Sequence, residues 1–418
     1  MFIAVGVLAL ACACAWSAAT TGAAPASPLE PRFTQVGATH IPRDVVASLA
    51  QDRLGLLWIA TGDGLVRHDG HRFRPVERDI TDPARRNLGW IRALLSGSDS
   101  RMWIGTETDG LLAWNPQTDA LESHRDPAAA GGPLPTIRAL AQAADGTLWI
   151  GTHGGGLVHY DPAQRRYTTV PVGDDGEGPA ASRIQALLVD RQGGVWVGTW
   201  RGLMRRQAGA RRFEPVPMAL QHGLPRASAG VQALLQASDG RVWLGLSDGR
   251  VGRLDPDPDA SVQWLAATGE SNPAVTALVE APGSVVWAGR AAGVDLFDVA
   301  SGTWQRRLRH DPRNTASLGA GEVTALVRDR DDAIWVGGFG LGLQRHDPTR
   351  TAIAVRAPDA DPAGLLQDAD VRHLLATRDG RVWAAPASGG VVILDDQLHA
   401  IGHARLLASG GQPRVEAM

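Results

Sequence analysis

Short apolar runs separated by turns of Gly and Asp recur along almost the whole chain. Each run is centred on a tryptophan, and consecutive tryptophans are 44 to 48 residues apart. The eight tryptophans of this pattern are Trp58, Trp103, Trp149, Trp196, Trp243, Trp287, Trp335 and Trp383. A constant period in the forties is typical of a β-propeller, in which each repeat forms one four-stranded blade.

Certain residues have fixed positions within each repeat, and these positions predict where its strands lie. A leucine precedes every one of these tryptophans by nine residues, and a Gly or Ala follows each of them by two. We interpret V-x-A-L segments such as 275–278 as innermost strands and the tryptophan runs as second strands, buried between neighbouring blades. The run that ends near Asp-Pro becomes the third strand, and polar runs such as 165–170 become the fourth. Glycines between strands two and three then serve hairpin turns, since no helix follows that could hold a phosphate.

The two ends bear on how the ring closes. Residues 31–36 resemble a fourth strand, so we expect them to pair with the last blade and remove its open edge. Residues 412–418 resemble the start of an innermost strand, which predicts a truncated ninth repeat. The prediction is an all-β propeller over residues 31–418, with four-stranded blades that number seven or eight.

The first 24 residues form an apolar run followed by small residues, as in a secretory signal peptide, with a signal anchor as the alternative. Cys12 and Cys14, the two cysteines of the chain, lie inside this run. Export without disulfides indicates a periplasmic protein. The formal net charge of −3 gives no reason to expect a nucleic-acid partner. No later stretch is long and apolar enough to span a bilayer.

The motifs [VI]-x-[AS]-[LI], D-x-x-G-x-[LV]-W-[IV]-G-T and G-L-x-x-[YH]-D resemble the two-component regulator propeller repeat. They are clearest in residues 46–69, 137–161 and 184–203, and residues 33–73 are similar to the first repeat of such sensors. The resemblance implies the periplasmic sensor of a hybrid histidine kinase or a diguanylate cyclase. It also implies two seven-bladed propellers, a β-sandwich, a transmembrane helix and a cytoplasmic output domain. Eight repeats fit one eight-bladed ring, or seven blades and the start of a second propeller.

We therefore expect a ligand-sensing module whose kinase or cyclase domain lies beyond residue 418, in a receptor anchored in the inner membrane. In a propeller, the turns between strands two and three and the connections between blades open on one face, where the copies differ most. Arg92 and Arg138, at the starts of innermost strands, could hold a carboxylate, and the extra aromatic Trp200 suits a sugar. The candidate ligand-binding residues are His153, Trp200, Arg201, Arg290, Phe339, Arg92 and Arg138. The alternative for each is a surface or inter-blade role.

Two other functions stay open. One is a stand-alone exported lyase or hydrolase similar to the streptogramin lyases, for which His153 with Glu107 or Asp109 would be the candidates. The other is a scaffold that binds an envelope protein or a second copy of itself. We expect no catalytic residue, cofactor or metal in this chain. The segment HDGH at 68–71 offers no third ligand, and DPDPDA at 255–260 lacks the Gly and Glu of a calcium loop. Contact with the membrane would come only through the uncleaved signal or a missing C-terminal region.

Overall fold

The computed structural model describes residues 31–77, 88–125, 135–172, 183–218, 229–257, 261–265, 273–349, 370–387, 390–395, 398 and 400–404. The predicted signal segment at 1–24 and the predicted ninth repeat at 412–418 lie outside these residues. The chain divides into two compact units, of which one is residues 31–353. The described residues of the other lie between 370 and 404.

The described part of residues 31–353 forms seven antiparallel sheets of four strands, which we call blades 1 to 7. Within each of blades 1 to 6 the strands pair in chain order, from the innermost to the outermost. Blade 1 consists of β2 Ser48–Gln51, β3 Leu57–Ala60, β4 Leu65–His68 and β5 Phe73–Val76, and blade 2 of β6 Ile91–Ser96, β7 Met102–Thr106, β8 Leu111–Asn115 and β9 Ala120–His124. Blade 3 consists of β10 Thr136–Gln142, β11 Leu148–His153, β12 Leu157–Asp161 and β13 Arg166–Val170, and blade 4 of β14 Ile184–Val189, β15 Val195–Thr199, β16 Gly202–Arg206 and β17 Glu214–Pro215. Blade 5 consists of β18 Val231–Gln236, β19 Val242–Leu246, β20 Val251–Leu254 and β21 Gln263–Trp264, and blade 6 of β22 Val275–Ala281, β23 Val285–Arg290, β24 Gly293–Asp298 and β25 Trp304–Leu308.

Blade 7 takes its fourth strand from the beginning of the chain. Its own strands are β26 Glu322–Arg328, β27 Ile334–Phe339 and β28 Gly342–His346, and β1 Phe33–Gln35 pairs antiparallel with β28. Blade 7 also packs against blade 1, as shown by a buried hydrophobic cluster that contains Trp335 of blade 7 together with Val46 and Leu57 of blade 1. The predicted closure by the N-terminal strand is therefore confirmed. Of the two blade counts left open by the sequence, the described part of this unit has seven.

The recurrent residues account for the contact between blades. The seven repeat tryptophans of blades 1 to 7 are each at most 6% exposed. The Gly two residues after the tryptophan lies where the next blade packs. A Cβ atom at Gly105 would come within 2.5 Å of Ile137 in blade 3, and one at Gly337 within 2.4 Å of Val46 in blade 1. A side chain at these positions would push neighbouring blades apart, which explains the phase of the glycines.

The second unit contains one more four-stranded sheet, made of β29 Val371–Ala376, β30 Val382–Pro386, β31 Val391–Leu394 and β32 Ala400–Ala404. It repeats the strand order of the blades, as predicted for the eighth repeat. Its tryptophan, Trp383, is half-buried, unlike the other seven.

Helix is minor, as predicted, since the described residues include one 3-10 helix of three residues, Pro42–Asp44. Among the described residues, no helix has the length and apolar character that a membrane crossing requires.

Candidate functional site

A β-bulge near the start of the innermost strand recurs in blades 2 to 7. At this point the pairing with the second strand skips one residue, whose side chain is half-buried. The skipped residues are Arg92, Arg138, Gln185, Gln232, Thr276 and Thr324. A bulge leaves one residue out of the ladder and redirects its side chain, which is why bulges often lie beside functional sites.

Three of the bulge side chains reach from one blade to the innermost strand of the next or to the residues just before it. Arg138 Nη2 donates a hydrogen bond to Gln185 Oε1 at 3.2 Å, and Thr324 Oγ1 donates to the backbone oxygen of Val46 at 2.5 Å. Thr276 bonds in the same way to the backbone oxygen of Val323. Innermost strands of a propeller surround its axis. The bulge residues therefore follow one another around the axis at one end of the ring.

Aromatic and charged side chains meet at this end. Arg92 donates from Nε and Nη2 to Glu107 Oε2, at 3.2 and 2.9 Å. Its guanidinium lies 4.3 Å from the ring centroid of Trp90, and Trp90 contacts Phe339 of blade 7 edge-on, with a centroid distance of 6.2 Å. Together with Arg138, these residues form what we call the axial cluster: Trp90, Arg92, Glu107, Arg138 and Phe339.

The axial cluster has more positive than negative charge. Arg92 is paired with Glu107, whereas no described carboxylate forms a salt bridge with Arg138. Burial and the nearby charge of Arg92 lower the pKa of Arg138, and Glu107 opposes that shift. A half-buried arginine that no described carboxylate pairs with is suited to a bidentate interaction with a carboxylate ligand.

Three of the predicted residues lie at the rim, on the turns of blades 3 and 4. The backbone of His153 forms an isolated antiparallel β-bridge with that of Arg183. The backbone N–H of Trp200 donates a hydrogen bond to the backbone oxygen of Arg183 at 3.3 Å. Trp200 is 43% exposed, which is unusual for its residue type, and Arg201 beside it is also exposed. Because Arg183 directly precedes the innermost strand that carries Gln185, the rim is continuous with the ring of bulge residues.

Arg290 is placed differently from the other candidates, and the expectation that it faces a ligand is corrected. Its side chain is 2% exposed, and Nε pairs with Asp295 Oδ2 at 2.6 Å. Nη1 donates to the backbone oxygens of Gly249 and Pro273, both at 2.7 Å. Arg307 reaches the same Asp295 from the neighbouring strand. Because Gly249 belongs to blade 5, Arg290 has the inter-blade role that was the alternative.

Sequence reasoning did not select Trp90 or Gln185, and it mentioned Glu107 only for the lyase alternative. Trp90 lies outside the tryptophan repeat, two residues before Arg92, and this departure from the period is a signal that could have identified it. Gln185 has the same position in its repeat as Arg92 and Arg138.

Among the described residues, no group of three or more His, Cys, Asp or Glu side chains is arranged to hold a metal ion. The segment at 255–260 is described only up to residue 257.

Known structures with this fold include extracellular domains of bacterial signalling proteins. The extracellular domain of BT3049 from B. thetaiotaomicron, described as a hybrid two component system, superposes with a TM-score of 0.71 at 17% identity, covering 91% of this chain and 50% of that one. The corresponding domain of BT4673 gives 0.63 at 22% identity, with coverage of 92% and 48%. This chain thus spans about half the length of these two structures. A catalytically inactive virginiamycin B lyase from Staphylococcus aureus gives 0.58 at 10% identity, covering 76% of this chain and 99% of that one. At these identities the likeness concerns the fold alone.

Comparison with proteins of curated function finds no match. The family model described as "Two component regulator propeller" matches residues 131–154 and 178–201. These segments include the tryptophans of blades 3 and 4 and the turns of the rim. The resemblance seen in the motifs is confirmed, and these two segments of the chain match the two-component regulator propeller repeat.

Proposed function

We propose that residues 31–353 are the ligand-sensing propeller of an exported, membrane-anchored signalling receptor. In this proposal the native protein continues into a kinase or cyclase output domain, and the propeller lies in the periplasm. Support comes from the matched repeat, from the fold shared with extracellular domains of two-component systems, and from an apolar N-terminal segment that resembles a signal peptide.

The observation that carries the proposal is that no described carboxylate pairs with Arg138 in the axial cluster. A purely structural arginine at a blade junction would have several protein acceptors, as Arg290 does. Among the described residues, Arg138 instead donates one hydrogen bond, to a neutral amide, and the nearby Arg92 is the arginine that lies over Trp90. The guanidinium of Arg138 is thus available to a carboxylate, and a sugar acid would combine that group with a ring that can lie against Trp90 or Trp200.

The position of the cluster also suits a sensor. Arg92 belongs to blade 2, Arg138 to blade 3 and Phe339 to blade 7, so one ligand would contact three blades. A ligand bound there would hold these blades together, and the receptor would transmit the resulting change in packing. In this proposal the chain binds its ligand and catalyses no reaction of its own. Association with an envelope protein or a second copy remains part of the proposal as a means of transmission.

Isothermal titration of the purified chain with glucuronate, benzoate and succinate tests the site, with glucose as the uncharged counterpart of glucuronate. We expect at least one carboxylate to bind, and Arg138→Gln to weaken that binding roughly 10- to 100-fold, since a charged hydrogen bond contributes about 1.5–3 kcal/mol. Arg166→Gln is the matched control, because Arg166 is an exposed arginine on the outermost strand of blade 3. Equal binding to the two variants would refute the assignment of the site.

A further inference from the structure

The bulge position carries two kinds of side chain around the axis of the ring. In blades 2 to 5 it holds a long polar side chain: Arg92, Arg138, Gln185 and Gln232. In blades 6 and 7 it holds a threonine, and the equivalent residue of blade 1, two before its recurrent leucine, is Ala47. The side chains that are long enough to reach a ligand near the axis therefore lie on one side, from blade 2 to blade 5.

The opposite side of the ring offers a ligand a largely apolar surface. Thr276 and Thr324 already donate their hydroxyl protons to backbone oxygens of the following blade, and a hydroxyl has only one proton to donate. The indole of Trp90 lies against the turn of blade 1, where a Cβ atom at Gly62 would come within 2.9 Å of it, and it meets Phe339 of blade 7. A ligand near the axis would thus have polar groups on one side and aromatic rings on the other.

The amide groups of the two glutamines are not fully used by the described part of the protein. Gln185 Oε1 accepts the hydrogen bond from Arg138, and Gln185 Nε2 donates to no described residue. The side-chain amide of Gln232 forms no hydrogen bond with any described residue. Both side chains are half-buried, and each amide has two protons to donate. Half-buried polar groups of this kind are bonded by water or by a ligand.

The order of these groups around the axis defines the shape of a ligand that would use them. Arg138 belongs to blade 3, Gln185 to blade 4 and Gln232 to blade 5, so the two amides follow Arg138 in the same direction. A ligand whose carboxylate is held by Arg138 can present its far end to Gln232. An amide both donates and accepts hydrogen bonds, and a hydroxyl group complements it because it does the same.

We propose that the axial cluster, together with Gln232, binds a six-membered ring that carries a carboxylate at one end and a hydroxyl group at the other. Arg138 holds the carboxylate, the amide of Gln232 holds the hydroxyl, and the ring lies against Trp90 and Phe339. Gln232 is then the residue that distinguishes a hydroxylated acid from its parent acid. This inference rests on the function proposed above, and it adds the hydroxyl group and the residue that recognises it. Hydroxybenzoates and sugar acids share this chemistry.

Isothermal titration of the purified chain at pH 7.5 tests the inference with acids that differ by one hydroxyl group. Benzoate is compared with 3- and 4-hydroxybenzoate, and cyclohexanecarboxylate with 4-hydroxycyclohexanecarboxylate, which has the saturated ring of a sugar. Because the carboxylate and the ring are common to each comparison, their contributions cancel. We expect at least one hydroxylated acid to bind about fivefold more tightly than its parent, as one additional neutral hydrogen bond predicts. The comparison that shows the preference identifies the ring as aromatic or saturated.

A matched pair of variants assigns the preference to Gln232. Gln232→Leu removes the amide at nearly constant size and should make the hydroxylated acid and its parent bind about equally, while the parent binds as before. Gln207→Leu, at an exposed glutamine that follows β16, is the control and should change neither affinity. A preference that persists in Gln232→Leu would overturn the assignment. So would the absence of any preference in the wild type, a result that requires no variant.

A third variant separates this inference from the function on which it rests. Gln185→Glu places a carboxylate beside the guanidinium of Arg138. It should weaken the binding of every acid by about tenfold or more, because the internal carboxylate pairs with Arg138. Unchanged binding to this variant, or no binding of any acid to the wild type, would overturn the proposed function together with the inference. Binding of the parent acids without a preference for the hydroxyl group would overturn the inference alone.

Discussion

The buried imidazole of His124 makes a quantitative prediction about stability and pH. Its pKa is lowered from 6.5 to about 4, first because burial disfavours the charged ring and then because of the charge of Arg165. Arg101 acts in the same direction, and Glu122 opposes both. In the unfolded chain the pKa returns to its ordinary value near 6.5. The gap, at roughly 1.4 kcal/mol per pH unit, corresponds to about 3 kcal/mol of folding free energy.

The sign of the effect follows from which state binds the proton. Between pH 6.5 and about 4 the unfolded chain protonates this histidine, whereas the folded chain does not. The contribution to stability is therefore fully present above pH 6.5 and is lost as the pH falls towards 4. Other groups also titrate in this range, but a His124→Val variant retains them. The difference between the two proteins isolates the contribution of His124.

Urea unfolding of the wild type and of His124→Val, at pH 7.5 and at pH 4, measures this difference. We expect the wild type to lose about 3 kcal/mol more than the variant between the two pH values. Any offset at pH 7.5, such as the lost partner of the Tyr160 hydroxyl, cancels because each protein is compared with itself. Equal losses would show that His124 titrates alike in the folded and unfolded states, which would refute its burial as described.

Three further substitutions test how the blades pack. Gly337→Ala should lower stability by about 1–3 kcal/mol in urea unfolding, since the added Cβ would meet Val46 at 2.4 Å where blade 7 contacts blade 1. Ala143→Asp should raise the melting temperature by a few degrees, because the buried indole N–H of Trp149 has no partner among the described residues. In blades 1, 4 and 7 an aspartate at the equivalent position accepts a hydrogen bond from the tryptophan N–H at 2.7–2.8 Å. An unchanged or lower value would contradict that reasoning. Asp295→Ala should cost about 3–5 kcal/mol because it leaves two buried arginines without their carboxylate, and a loss below 1 kcal/mol would show that they find other partners.

The regular parts of the fold could be predicted because each depends on short-range pattern. The nine-residue spacing between the leucine and the tryptophan, such as Leu94 and Trp103, recurs in every repeat and sets the pairing of the first two strands. The closing strand could be recognised because residues 31–36 look like a fourth strand that has no blade before it. The glycine two residues after six of the tryptophans lies where the next blade packs, and this contact is the same in each of those repeats.

The parts that escaped prediction depend on contacts between blades that the repeat does not carry. Arg290 follows a Gly at the end of a strand and looks like a turn residue. Its burial depends on Asp295 and on a backbone oxygen at Gly249, 41 residues away. The position of Trp90 in the axial cluster could not be predicted, because it depends on closure of the ring, which places Phe339 of blade 7 beside it. His124 could not be identified as exceptional because the outermost strands vary in length and sequence.

The size and compartment of the native protein test the receptor proposal most directly. An antibody against residues 31–353, used to immunoblot fractionated cells, reports both properties in one measurement. The proposal predicts a band in the membrane fraction that is far heavier than the 44.1 kDa of this chain. A soluble periplasmic band slightly below that mass would contradict it, since the propeller would then act alone.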